Sequence, residues 1–183
     1  MNSLRIIQFF LLISFFVVGC SEKNQKEEIK QLASESVEQK DLLLKVDSVD
    51  QSELIRLINN RNGKILFLNI WATWCEPCRE EFPDIIKISK TYKENDIEVV
   101  GISVDFPDEV DSKIIPFLLK NKVPFKIYVS GFKKDEDLIN ILNKNWSGAL
   151  PATFIFDKQG VQRYMLVGKG TYDKFKNEIE KLE

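Results

Sequence analysis

Downstream of residue 41, apolar residues fall into two rhythms whose alternation lays out the chain. Ile65–Ile70, broken only by Asn69, reads as a strand buried on both faces of a parallel sheet, as do Glu98–Val104 and Phe125–Val129. Helical stripes lie between them. Leu54, Leu57 and Ile58 follow Asp50-Gln51-Ser52-Glu53, which has the form of a capping box, and that helix ends near Gly63. A long amphipathic segment with Phe82, Ile85, Ile86 and Ile88 runs to about Tyr92, and further helices are predicted over Asp108–Leu119 and Asp135–Lys144. Thr153–Phe156 and Val161–Val167, joined by Asp157-Lys158-Gln159-Gly160, predict a hairpin, and Tyr172–Leu182 a closing helix. Leu42–Val46 is expected to be a short edge strand. The alternation predicts an α/β domain.

The first forty residues follow other rules. A short n-region with Arg5 precedes an apolar run from Ile6 to Val18, then Gly19 and Cys20. A run of thirteen residues is too short to span a bilayer comfortably, which favours a cleaved export signal. Val17-Val18-Gly19-Cys20 resembles the bacterial lipobox, in which the cysteine thiol receives diacylglycerol and becomes the new N-terminus. The expectation is a lipoprotein signal peptide over residues 1–19, a lipidated Cys20 held in a lipid bilayer, and a polar tether over 20–41. A plain export signal or an uncleaved anchor, with an incidental cysteine, is the other reading. Ser21–Asp41 is rich in Lys, Glu, Gln and Ser, a composition that suits a weak helix or disorder alike. Residues 42–183 are expected to form the folded domain.

Composition changes this picture mainly by exclusion. The 183 residues carry a net charge of -2, so no basic field exists to collect phosphates, and no nucleic-acid partner is expected. There is no histidine, which removes Ser-His, Cys-His and His-ligated metal mechanisms. Three cysteines cannot complete a structural zinc site within one chain, so no metal or other cofactor is expected. Lipidation of Cys20 leaves Cys75 and Cys78 as an even pair in an oxidising compartment.

That pair stands between a buried strand and a long helix, in Trp71-Ala72-Thr73-Trp74-Cys75-Glu76-Pro77-Cys78. Two residues between cysteines at a helix mouth allow a small ring to open and close with little rearrangement. The unpaired N–H groups of the first turn stabilise a thiolate at Cys75, the predicted attacking nucleophile, while Cys78, one turn inside, resolves the mixed disulfide. Pro77 fits a first turn that has no N–H partner to lose. Glu76 places a carboxylate beside the nucleophile, opposing its ionisation and leaning the couple toward reductant. The competing reading is a structural disulfide, although small disulfide scaffolds are cysteine-dense.

WATWCEPCREEFP resembles the active-site segment of the TlpA/ResA/CcmG branch of the thioredoxin superfamily, and LPATFIFDKQGVQRYMLVG resembles that branch's C-terminal portion. The resemblance covers roughly Asp41 to the C-terminus. It implies a thioredoxin-like fold with a central mixed sheet of four to five strands, flanking helices and a cis-proline loop. It further implies a thiol-disulfide oxidoreductase, membrane-attached and extracytoplasmic in a bacterial cell envelope. Its partners would be a substrate protein with a disulfide or thiol pair, such as apocytochrome c, and a membrane electron donor of thiol-disulfide type.

Trp74, Cys75, Glu76, Pro77 and Cys78 fall on the family's active-site motif, Glu81 on its glutamate and Pro151 on the proline that is cis and faces the disulfide. Glu81 shares a helix face with Cys78 one turn on, so it either accepts a proton during resolution or merely favours the helix N-terminus. Trp71 is assigned to the core and Trp74 to the flank of the sulfurs; Trp146 lines a groove or only packs. The chain departs from cytosolic thioredoxins at Asn69, where they have a buried aspartate, so a base is missing there.

Three other functions compete. A peroxiredoxin-like peroxidase needs a Pro-x-x-x-Thr-x-x-Cys environment that does not surround Cys75. A copper(I) carrier would use the same two thiols without a histidine to assist. A binding module with idle thiols would keep its function when both are replaced.

Overall fold

Strand β2 organises the molecule, because every residue of Ile65–Trp71 is buried and its side chains alternate between two cores. The computed structural model describes residues 45–94 and 96–182, within one unit running from Leu43 to Glu183. The expected signal, Cys20, the tether and Leu42–Leu44 lie outside the described residues. In chain order the elements are β1 (Asp47–Val49), α1 (Gln51–Asn59), β2, α2 (Glu76–Thr91), β3 (Ile97–Ser103), α3 (Ile115–Asn121), β4 (Lys126–Ser130), α4 (Asp135–Leu142), β5 (Ala152–Phe156), β6 (Gln162–Val167) and α5 (Tyr172–Glu180). Among the described residues no helix is long and apolar enough to cross a membrane.

The sheet runs β1-β4-β3-β2-β5-β6. β1, β4, β3 and β2 are mutually parallel neighbours, while β5 and β6 join antiparallel, giving the mixed sheet of a thioredoxin-like fold. It has six strands rather than four to five. The edge strand β1 also lies later than the hydrophobic run suggested, at Asp47–Val49, with Val49 alone buried. Its Asp47 side chain pairs with Lys126 of β4 at 2.9 Å, so an edge was formed from polar residues that an apolar count passes over.

Phe67 and Trp71 of β2 meet Phe82, Ile85 and Ile88 of α2 and Phe175 and Ile179 of α5 on one face. Leu66, Leu68 and Ile70 meet Leu54 and Leu57 of α1 and Leu138 and Leu142 of α4 on the other. Full burial of each such side chain contributes about 1.5–3 kcal/mol. Asn69 belongs to the α2 face by this alternation, and that decides its neighbours.

The helix expected over Asp108–Leu119 is divided. A 3-10 turn (Pro107–Glu109) leads into a π turn (Val110–Ile114), and α3 follows. Pro116 has no N–H and its ring would press on the carbonyl four residues back, so the backbone widens before it and Ile115 N–H bonds to the Val110 carbonyl. The capping box before α1 is half made: Asp50 accepts from Glu53 N–H at 2.9 Å, while the Glu53 carboxylate turns to Arg56.

Candidate active site

Helix α2 starts where the sulfur chemistry requires. Cys75 is its N-cap, Pro77 lies in the first turn, and Cys78 N–H donates to Cys75 Sγ at 3.3 Å. The two sulfurs are joined, with an S–S distance of 1.98 Å. Cys75 is 6% exposed and Cys78 1%, so the first sulfur is the accessible one. Glu76 is exposed beside it.

The turn that delivers Cys75 is clamped from two sides. The buried Asp105, just past β3, accepts from Thr73 N–H at 2.8 Å and from Thr73 Oγ1 at 2.6 Å, and also from Ser103 Oγ. Arg79, one turn into α2, donates to the Thr73 carbonyl at 2.7 Å. Both backbone groups of Thr73 are thereby occupied two residues before Cys75.

A groove of about 820 Å³ opens beside the disulfide. Trp74, Cys75 and Pro77 form one side, Val104 and Phe106 another, and α4 with the segment Trp146–Leu150 completes it. Cys75 lines the groove; Cys78 does not. Trp74 is 63% exposed and Phe106 71%, two large apolar side chains left to solvent at the mouth. Trp71 is a core residue, its ring edge-on to Phe82 at 4.5 Å. Trp146 both packs and lines: it is buried against Phe154, and its Nε1 donates to the Ala149 carbonyl at 2.9 Å, steadying the segment before Pro151. The Leu150–Pro151 peptide bond is cis.

Three residues past Cys78 on α2, Glu81 is fully buried. It accepts from Asn69 Nδ2 at 2.8 Å and from Gly170 N–H. Burial pushes its carboxyl up from 4.5 to about 7, against the opposing pull of those two donors. Its neighbour Glu80 is a surface residue paired with Lys169 at 2.7 Å, which holds its carboxyl below the usual range.

The sequence reading missed Asp105, Thr73, Arg79, Phe106, Thr153 and Gly170. Thr153 carried a signal, since it and Asn69 are polar interruptions of apolar strands that turn out to be cross-strand partners. Asp105 and Gly170 carried none, because their contacts join segments remote in sequence.

The profile of the AhpC/TSA family matches residues 37–165, well over half of the chain. The chain belongs to the AhpC/TSA family. Within reach of this AhpC/TSA protein, the thiol-disulfide oxidoreductase ResA of Bacillus thuringiensis is 27% identical over 125 residues, 68% of this chain and 67% of the relative. The thioredoxin-like protein YneN of Bacillus subtilis is 28% identical over 142 residues, 76% and 75% of the two chains. A solved thiol:disulfide interchange protein of the thioredoxin family from Chlorobium tepidum superimposes with a TM-score of 0.56 at 25% identity, covering 67% of this chain and 82% of that one. Fold, joined sulfur pair and relatives agree on a redox enzyme, a thiol-disulfide oxidoreductase of thioredoxin-like architecture.

Proposed function

We propose that this AhpC/TSA protein reduces disulfides of exported substrate proteins, held by a lipid on Cys20 at the extracytoplasmic side of a bacterial membrane. The observation that carries the reading is that Cys75, at the mouth of α2, faces the groove while its partner Cys78 is shut behind it. In the reduced enzyme the Cys75 thiolate attacks one sulfur of the substrate disulfide and expels the other as a thiolate. Cys78 then gives its proton to Glu81, and its thiolate attacks Cys75 Sγ, expelling the second substrate sulfur as a thiolate and closing the Cys75–Cys78 disulfide. Two electrons pass to the substrate, and a membrane dithiol donor restores the pair.

Glu76 tilts the couple toward reduction, because its exposed carboxylate beside Cys75 opposes the charge that the helix N-terminus favours. Apocytochrome c, whose two cysteines must be reduced before haem attachment, is the substrate that the family resemblance favours. Equilibration of the full chain with glutathione or dithiothreitol buffers, read by tryptophan fluorescence, tests the direction. A potential near that of thioredoxin, about -270 mV, upholds a reductase, and one near -120 mV, that of a strong oxidant, overturns it.

A further inference from the structure

The exchange reaction employs two sulfurs and a proton acceptor, and leaves Asn69 without a task. Asn69 is the one polar side chain in a strand whose seven residues are all buried. A buried amide is costly unless hydrogen-bonded, and here both hydrogens of its nitrogen are used. Nδ2 donates to Glu81 Oε1 at 2.8 Å and to Thr153 Oγ1 at 3.1 Å. Thr153 faces Asn69 across the β2–β5 ladder, two residues beyond Pro151. Gly170 N–H takes the other Glu81 oxygen, at a position where a Cβ would run into the Phe175 ring. The carboxyl is gripped at both oxygens, from two different elements.

We propose that Asn69 is a positioning residue for Glu81, its amide satisfying the buried carboxyl in both of its proton states. An ionised carboxylate only accepts, so the amide nitrogen must face it, with its second hydrogen on the Thr153 hydroxyl. When Glu81 takes a proton, a half-turn of the amide presents Oδ1 to accept from the new carboxyl O–H, and the Thr153 hydroxyl changes from acceptor to donor toward the same oxygen. In both states the carboxyl keeps a hydrogen-bond partner at Asn69. A leucine at 69 would satisfy neither state, and an aspartate would set a second acceptor against the carboxylate so that the two share one proton. An amide therefore fits a carboxyl that must load and unload a proton during turnover, and this last point rests on the exchange mechanism proposed above.

The other groups acting on Glu81 are few. Asp84 on α2 raises its proton affinity, and Lys169 on the β6–α5 loop lowers it while occupied by Glu80. Burial and the two donors dominate, and near pH 7 both proton states are populated.

The test is a carbon-13 carboxyl NMR titration of Glu81 in the full-length oxidised protein, run beside the pH profile of disulfide turnover. Asn69→Leu takes the amide from both proton states, but its bond to the ionised carboxylate is charge-assisted and the stronger of the two, so the Glu81 midpoint should rise by about one pH unit, tenfold in the ionised-to-neutral ratio. The turnover midpoint should follow it. Should Asn69→Leu fail to fold, Asn69→Asp should convert the single titration step into two coupled ones. A Glu81 midpoint unmoved in Asn69→Leu, or a single unshifted step in Asn69→Asp, overturns the assignment. A carboxyl midpoint that moves while the turnover profile stays put upholds Asn69 as the partner of Glu81 and removes Glu81 from the exchange mechanism instead.

Discussion

At Glu81, burial and hydrogen bonding pull in opposite directions and burial wins, which gives the residue a measurable effect on stability. Its carboxyl titrates near 4.5 when unfolded and at about 7 when folded. Between those values the unfolded chain has released a proton that the folded protein keeps, so stability falls as pH rises through that window and levels off above it. At about 1.4 kcal/mol per unit, the loss attributable to this one group is about 3 kcal/mol. Urea unfolding of the oxidised protein at pH 5 and pH 8 should show that fall, and Glu81→Gln should abolish most of the slope whatever it does to the absolute value. Asp105 contributes through the hydrogen bonds that it accepts from both the backbone and the side chain of Thr73. Asp105→Ala strands the Thr73 N–H and should cost about 1–3 kcal/mol. It should also loosen the turn before Cys75, so that alkylation of the reduced pair by iodoacetamide changes in rate; an unchanged rate would show the clamp to be structural only. The sulfur pair was plain in the sequence because CxxC is local. Asp105 was not, because its value comes from a loop 32 residues away.

At the scale of elements, what the sequence showed clearly was whatever depends on neighbours in the chain. The β5–β6 hairpin is an example: its turn is written in Asp157-Lys158-Gln159-Gly160, where Asp157 accepts from the N–H groups of Gln159 and Val161 and Gly160 takes a φ of +80°. The start of α2 is another, fixed by Cys75 as N-cap and by Pro77. Misplaced elements share a different cause. β1 has almost no apolar content and exists because the edge of β4 offers it hydrogen bonds, which no local pattern reveals. The segment before α3 kept helical spacing but not helical backbone, because one missing N–H at Pro116 acts on the turn before it. Local terms can still be tested locally. Asp50 caps α1 by accepting from Glu53 N–H, with Ser52 Oγ donating to the same carboxylate, and the other half of the capping box is absent. Asp50→Ala should therefore cost about 1 kcal/mol, the ordinary worth of one cap, and chemical denaturation should show no larger loss.

Taken as a whole, the domain presents one sulfur of its pair, that of Cys75, to a groove whose mouth keeps two large apolar side chains in water. Among the described residues, nothing in the packing requires Trp74 or Phe106 to be there, since both lie outside the two cores that hold the sheet. Their exposure makes sense if a substrate chain covers them while its disulfide meets Cys75. A protein substrate would then gain from the groove, and a small disulfide such as hydroxyethyl disulfide would gain only from the sulfur. Covering roughly half of a phenylalanine side chain contributes about 1 kcal/mol, which corresponds to about fivefold in rate. Phe106→Ser should lower kcat/KM for a disulfide-bonded protein by about that factor and leave kcat/KM for the small disulfide unchanged. An equal loss on both substrates would mean that Phe106 acts by shaping the active-site turn, and no loss on either would place the substrate on another side of Cys75. Because Phe106 is exposed and outside both cores, the variant should retain wild-type stability, so the ratio of the two activities reads recognition and not folding.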